Sequence, residues 1–336
     1  MAMTVSIGVL GTGRIGVMHA ELIAQRIPGA RLAGVYDVMP ESSSKLAERL
    51  GCKTFTSPAE LMSSDEVDAI AICTSTNTHV DLLVMASNYR KPTFCEKPVS
   101  LTLSETDRAL RVVSESKTPV MMGFNRRFDP AHRAVRDRVA DGTLGEVHLV
   151  RITSRDPAPP PLEYAKVSGG IFVDMTIHDF DMARYVTGSE IVQVYAIGDL
   201  RIVPSFKEAN DLDTVALTLV HANGAITQID NSRQAVYGYD QRVEAFGSKG
   251  LAASENPYSH TALVRSDKGT AHTTIPYFFL ERYIPSYLAE WNEFLSVVNG
   301  SKPSVGVADG RASLVAGLAA WKSYHEQRPV KTNEIS

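Results

Sequence analysis

Residues 4–20 read TVSIGVLGTGRIGVMHA, an apolar run of strand length, then Gly11, Gly13 and Gly16 in G-x-G-x-x-G spacing, then the start of an amphipathic segment. In that strand-to-helix context each glycine has work to do. The first permits the tight turn, the second lets the backbone approach a pyrophosphate, the third lets the helix pack close to the strand, and the helix N-terminus offers N–H donors to phosphates. The next apolar run ends in VYD and puts Asp37 about 20 residues beyond the last glycine, where a carboxylate can hydrogen-bond an adenosine ribose. A plain strand–helix turn would account for the glycines but not for the aspartate. An anionic Asp37 would also repel a 2′-phosphate, so the spacing predicts NAD over NADP as cofactor.

Outward from this turn, short apolar runs alternate with amphipathic ones as far as about residue 123: RLAGVYD, SSSKLAERLG, VDAIAICT, HVDLLVMASNY, PTFCEK, LSETDRALRVVSES and PVMMGF. Strand–helix alternation of this kind predicts an α/β fold, a doubly wound parallel sheet of Rossmann type covering residues 1–124. Ligands in such sheets lie beyond the carboxyl ends of the strands. Two more strand ends therefore point at the same crevice. One carries Cys73, Thr74, Thr76, Asn77 and His79, a loop that either lines the dinucleotide or simply caps the next helix through Asn77 or Thr78. The other carries Glu96 and Lys97, with Pro98 fixing the exit. Thr74, Thr76, His79, Glu96 and Lys97 are accordingly grouped with Gly11, Gly13, Arg14, Ile15, Gly16 and Asp37 as cofactor-binding residues.

After FNRRFDP the rhythm changes. A helix through HRAVRDRVADG, a strand EVHLVRITSR and a Pro-rich loop lead to β-rich runs from IVQVYAIGDL to TALVRS, with a hairpin turn expected at Asn223 and Gly224. Two helical stretches close the chain. This predicts a second α/β domain, residues 125–336, with an open, mainly antiparallel sheet.

Between the loop and those strands lies GGIFVDMTIHDFDMARYVTG, residues 169–188, apolar enough for a core yet carrying three aspartates and a histidine. Wound as one helix at about 100° per residue, Asp174, His178 and Asp181 fall within roughly 60°, while Asp179 lies roughly 140° from Asp174. The reading is a buried helix with one polar stripe. An unperturbed histidine pKa near 6.5 suits a general base at neutral pH, and Asp174, one turn earlier, can grip a substrate hydroxyl and favour the imidazolium. Asp181 can either orient the imidazole or pair with a basic residue, and Asp179 reads as structural. An Asp and His at i, i+4 also suit a metal, but no Cys or His at short spacing completes a ligand set, so no metal is expected.

Composition is ordinary for a globular chain: 336 residues, 44% hydrophobic, 21% charged, formal net charge −4. That balance gives no reason to expect nucleic acid or an anionic membrane as partner. No apolar run approaches the roughly 18 residues of a membrane span, and the N-terminus lacks a basic-then-apolar leader. Cys52, Cys73 and Cys95 show no CxxC spacing, which fits a reducing, cytoplasmic setting.

G-x-G-x-x-G near the N-terminus, EKP after the fourth main strand and D-x-x-x-H in the second domain together resemble the Gfo/Idh/MocA family of NAD(P)-dependent sugar and polyol dehydrogenases. The longer runs GFNRRFDP, TSRDPAPPP, NSRQAVYGYDQRVEAFGSKG and FFLERY are similar to members that oxidise inositol. The resemblance spans nearly the whole chain. It implies NAD-dependent oxidation of myo-inositol, a cyclic polyol, with Lys97, Asp174 and His178 as the catalytic set. It also implies a homotetramer packed through the second sheet. Asn125, Asp156, Tyr237 and Tyr283 fall in segments that line the polyol site in similar enzymes, together with Lys97, Asp174 and His178. Position 156 departs from members with Asn there, and position 125 from members with Met. The alternatives are another cyclic polyol or aldose (scyllo-inositol, chiro-inositol or a pyranose) or a non-catalytic NAD-sensing regulator. A sensor has no chemical reason to keep Lys97, Asp174 and His178 together.

Overall fold

The computed structural model describes residues 4–335. The chain divides into two compact units, one running to Asn125 and taking in Tyr287–Ala312, the other made of Arg126–Ser286 and the chain from Ser313 on. Composition rhythm alone assigns everything after residue 124 to a second domain, but Tyr287–Ala312 groups with the first unit. The reason is apolar: Trp291 and Phe294 pack against Phe94 of the first sheet, with ring centroids 4.9 and 6.0 Å away.

In the first unit, among the described residues, the strands are β1 (Val5–Leu10), β2 (Ala30–Tyr36), β3 (Lys53–Thr54), β4 (Ala69–Ile72), β5 (Thr93–Glu96) and β6 (Val120–Gly123). They form one sheet in the order β3-β2-β1-β4-β5-β6 with every pairing parallel. Every residue of β1, β4, β5 and β6 is buried, which is why these strands read as continuous apolar runs. Helices Arg14–Gln25, Pro40–Leu50, Thr76–Asn88 and Leu103–Ser116 carry the crossovers. The order reverses between β1 and β4, so the crevice outside their carboxyl ends is the place for a ligand. The sequence reading passes over β3 and the one-turn-and-a-half helix Pro58–Ser63, both too short to show a period.

The second unit holds β7 (Val147–Arg155), β8 (Ile191–Asp199), β9 (Thr214–His221), β10 (Ile226–Ser232), β11 (Asp240–Gly247) and β12 (Gly250–Ser254). A separate hairpin is formed by β13 (Leu263–Ser266) and β14 (Gly269–His272), and β15 (Val330–Lys331) joins the sheet edge. The main sheet runs β12-β11-β7-β10-β9-β8-β15, antiparallel except for the parallel β7/β10 pair. Asn223 and Gly224 make the expected β9–β10 turn, with Gly224 at φ +88° and the Asn223 side chain accepting from Ala225 N. One face of the sheet buries Val150, Ile152, Leu217, Leu219, Ile229 and Val243 against Phe172, Phe180 and Ala316. The other face presents Tyr195, Ile197, Ile226, Phe246 and Leu251, between 38% and 53% exposed. Among the described residues no helix is long and apolar enough to cross a membrane, no group of His, Cys, Asp or Glu is arranged to hold a metal, and all three cysteines are free.

Candidate functional site

In the first unit the glycine turn is built as its spacing requires. Gly11 sits at φ +93°, its N–H donating to Tyr36 O at 2.8 Å, and a Cβ there would lie 2.6 Å from Cys73 O. A Cβ on Gly16 would lie 2.0 Å from Gly11 O. Around Gly13, by contrast, nothing lies within 4 Å of where a Cβ would be, so the open side of the turn is at the residue whose backbone is to approach a phosphate. The first helical bond is Val17 N to Gly13 O, and the first turn holds no acidic residue, so the positive end of the helix is unopposed. Arg14 is exposed and Ile15 half-buried on that turn. Asp37, at the end of β2, accepts from Thr12 N at 2.6 Å and Met39 N at 2.9 Å. It is tied to the glycine turn directly. The turn, the helix end and the Asp37 carboxylate fit a dinucleotide.

At the end of β4 the helix begins at Thr76, with Ser75 in the N-cap position and no side-chain cap bond. Capping by Asn77 or Thr78 is therefore not what this loop does, because both already lie within the first turn. Thr74 and Thr78 hydroxyls meet at 2.7 Å, and Thr76 is half-buried. His79 is buried, with its ring nitrogens 2.8 Å from Pro98 O and 3.0 Å from Thr74 O. It braces two loops. Burial pushes its imidazole down from the ordinary value, against the pull of those carbonyls. At the end of β5, Glu96 is buried, Lys97 is half-buried, and the Lys97–Pro98 bond is cis. Asn125 is 4% exposed and is the last residue of this unit's main segment.

In the second unit the predicted single helix is broken. It forms Ile171–Asp174 and Ile177–Thr187, with Met175 and Thr176 between them. Thr176 N reaches back five residues to Ile171 O at 2.8 Å, and the Thr176 hydroxyl donates to Asn231 Oδ1 at 2.6 Å. A partner on β10 thus competes with the regular ladder. Gly170, at φ +73°, leaves room for Asp211, whose Oδ1 accepts from Ile171 N at 2.7 Å and would lie 2.9 Å from a Cβ on Gly170.

The break separates the aspartates of the stripe, and each has its own partners. Asp174 accepts from the Tyr164 hydroxyl at 2.8 Å and from Arg233 Nη1 at 3.1 Å, while Arg233 Nη2 holds Asp211 at 3.1 Å. Asp181 takes the second of its two readings, a two-pronged pair with Arg127 at 2.7 and 2.5 Å. Asp179 is structural as expected: fully buried, it accepts from Arg126 and Ser154 at 2.6 Å and Asn231 at 2.8 Å. Burial pushes its carboxyl up, countered by Arg126. His178 is half-buried on the first turn of the second helical piece, four residues after Asp174.

Asp156 is half-buried and contributes charge to the same cluster. Burial opposes the charges of Arg126 and Arg233. Tyr283, Tyr239, Asp179 and Asp156 nonetheless pull Arg126 above its ordinary value, and Asp174 and Asp211 do the same for Arg233. Burial and then Asp174 push the Tyr164 hydroxyl up. Tyr237 is half exposed and donates to Asp240 at 2.6 Å. Tyr283 lies deeper, 1% exposed, its hydroxyl 3.4 Å from His132 Nε2, and burial pushes it up to about 12. The sequence reading missed Arg126, Arg233 and Tyr164. Three aspartates in an apolar helix demand counter-ions, and the arginines in GFNRRFDP and NSRQ were the available signal.

Residues 5–124 match the model of an oxidoreductase family with an NAD-binding Rossmann fold, and residues 132–253 match the GFO/IDH/MocA C-terminal domain. Myo-inositol 2-dehydrogenase of Thermotoga maritima is 45% identical over 331 residues, 98% of this chain and 99% of that one. The chain belongs to the Gfo/Idh/MocA oxidoreductase family. The crystal structure of a myo-inositol dehydrogenase from Corynebacterium glutamicum is 40% identical to this oxidoreductase, with TM-score 0.93 over 98% of this chain and 99% of that one. That of scyllo-inositol dehydrogenase from Lactobacillus casei, with bound NAD(H) and scyllo-inositol, is 29% identical, with TM-score 0.91 over 98% and 99%. The first unit of the oxidoreductase is its NAD-binding domain.

Proposed function

We propose that this oxidoreductase is an NAD-dependent inositol 2-dehydrogenase that converts myo-inositol to 2-keto-myo-inositol (scyllo-inosose). The observation that carries the reading is the placement of Asp174: both carboxylate oxygens already accept hydrogen bonds, from Tyr164 and Arg233. A carboxylate anchored in this way orients a neighbouring hydroxyl. The base is then His178, one step along the same polar cluster.

NAD, when bound, accepts the hydride. His178 takes the proton from the hydroxyl being oxidised, and Asp174 accepts from an adjacent hydroxyl and favours the imidazolium that results. Lys97 donates to the reacting oxygen as negative charge develops on it. Asn125, Asp156, Tyr237 and Tyr283 complete the polyol set. A neutral, hydroxyl-covered ring is bound by many single hydrogen bonds, and these side chains both donate and accept. The assembly is a homotetramer, for which the apolar residues on the outer face of the second sheet supply contact area, and the setting is the cytoplasm.

The test is NADH formation across a panel of inositol isomers and aldoses, run with NAD and with NADP. Activity strongest on myo-inositol and with NAD is expected. Activity confined to scyllo-inositol or a pyranose would move the substrate within the family, and a preference for NADP would overturn the part given to Asp37. His178→Ala should lower turnover by on the order of 10²- to 10⁴-fold while leaving NAD affinity unchanged.

A further inference from the structure

Trp291, His19 and Glu96 form a buried chain inside the first unit. His19, on the helix that follows the glycine turn, is fully buried. Its Nε2 lies 2.8 Å from Glu96 Oε1 and its Nδ1 lies 2.9 Å from Trp291 Nε1. An indole N–H can only donate, so Nδ1 must accept. The proton of the ring therefore sits on Nε2 and is donated to the Glu96 carboxylate. Phe94 and Tyr287 stand edge-on to the imidazole, with ring centroids 5.1 and 5.4 Å away. The other carboxylate oxygen of Glu96 lies 3.3 Å from the backbone N of Lys97.

Glu290, the residue before Trp291, is also fully buried, and neither of its carboxyl oxygens has a hydrogen-bond partner among the described residues. Burial, and then the charge of Glu96, push its carboxyl well up. It makes no hydrogen bond to His19 and stands outside the chain of bonds.

We infer that His19 and Trp291 are positioning residues for Lys97. Trp291 fixes the tautomer of His19, His19 fixes the rotamer of Glu96, and Glu96 holds the N–H at the root of the lysine where β5 ends. The inference rests on the part given to Lys97 in the proposed reaction. It makes the lysine's placement depend on a donor–acceptor order running back to the C-terminal half of the chain, rather than on the loop alone.

Three variants of the full-length enzyme separate positioning from packing. His19→Gln keeps the order, since its amide oxygen can accept from Trp291 and its amide N–H can donate to Glu96. His19→Leu fills the space without either bond, and Trp291→Phe removes the donor but keeps the ring. His19→Leu should lower kcat by about 10- to 100-fold, the scale of a small misplacement of a reacting group. Its KM for the polyol and its Kd for NAD should stay near wild type, with His19→Gln largely restoring kcat and Trp291→Phe falling between. Wild-type kcat in His19→Leu, or loss of kcat, KM and thermal midpoint together in both His19 variants, would overturn the inference. Nitrogen-15 NMR of the His19 ring supplies a readout apart from turnover. A pyridine-type Nδ1 and protonated Nε2 are expected, with Nδ1 shifting in Trp291→Phe, and the opposite tautomer would overturn the chain of bonds. Wild-type protein that shows the expected tautomer but oxidises no polyol would refute the functional reading and leave the hydrogen-bond chain standing.

Discussion

Arg233 is 1% exposed and spans two carboxylates, so its removal takes one guanidinium away from both Asp174 and Asp211. Arg233→Ala should destabilise the protein by about 3–5 kcal/mol in denaturant titrations, the usual cost of breaking a buried pair from one side. Arg233→Lys should recover only part of that, because a point charge cannot reproduce the planar fork. Tyr164 is half exposed and can be changed without touching the core. Tyr164→Phe should lower stability in denaturant titrations by no more than about 1.5–3 kcal/mol, the worth of a hydrogen bond to a charged group, and should lower kcat/KM as well. At this scale the acids and the histidine were legible in the sequence, because charge in an apolar run stands out. Their partners were not. Arg233 is 59 residues from Asp174 and Arg126 is 53 from Asp179, and only the tertiary fold brings them together.

The glycine turn is the element on which cofactor binding depends, and its three glycines answer different demands. Gly13→Ala meets nothing within 4 Å and its φ of −70° suits alanine, so the variant should melt like wild type. Its methyl would occupy the open side of the turn, and the NAD Kd measured by calorimetry should rise. Gly16→Ala, with Gly11 O only 2.0 Å from the new Cβ, should lose both stability and NAD binding. Equal loss of stability in both would contradict the division of roles. Most of the alternating elements of the first unit were readable because burial on both faces makes β1, β4, β5 and β6 solid apolar runs. The break at Met175 and Thr176 was not, because residues 169–188 carry a helical period throughout and the competitor, Asn231, lies on a distant strand. The polar stripe drawn on an ideal helix is therefore two separate ion-pair sites, at Asp174 and Asp181, and a histidine.

For the molecule as a whole, one pH-dependent contribution to stability comes from His132 in the second unit. It is buried with Nδ1 2.8 Å from Ser254 Oγ, and burial pushes it down to about 4, opposed by Asp129. In the unfolded chain the same group titrates near 6.5. Below that pH the unfolded state takes up the proton first, so this contribution is full above about 6.5 and is lost as pH falls toward 4. His132→Gln should flatten the fall in melting temperature across that window, and an unchanged slope would assign the acid sensitivity elsewhere. The central claim, that the protein moves a hydride from C2 of myo-inositol to NAD with His178 as base, is tested most directly with substrate deuterated at C2. Wild-type protein should yield NADH carrying deuterium at the nicotinamide C4 together with the 2-ketone, and His178→Ala should slow that transfer by at least about 100-fold. NADH formed without deuterium, or transfer at the wild-type rate in His178→Ala, would contradict it.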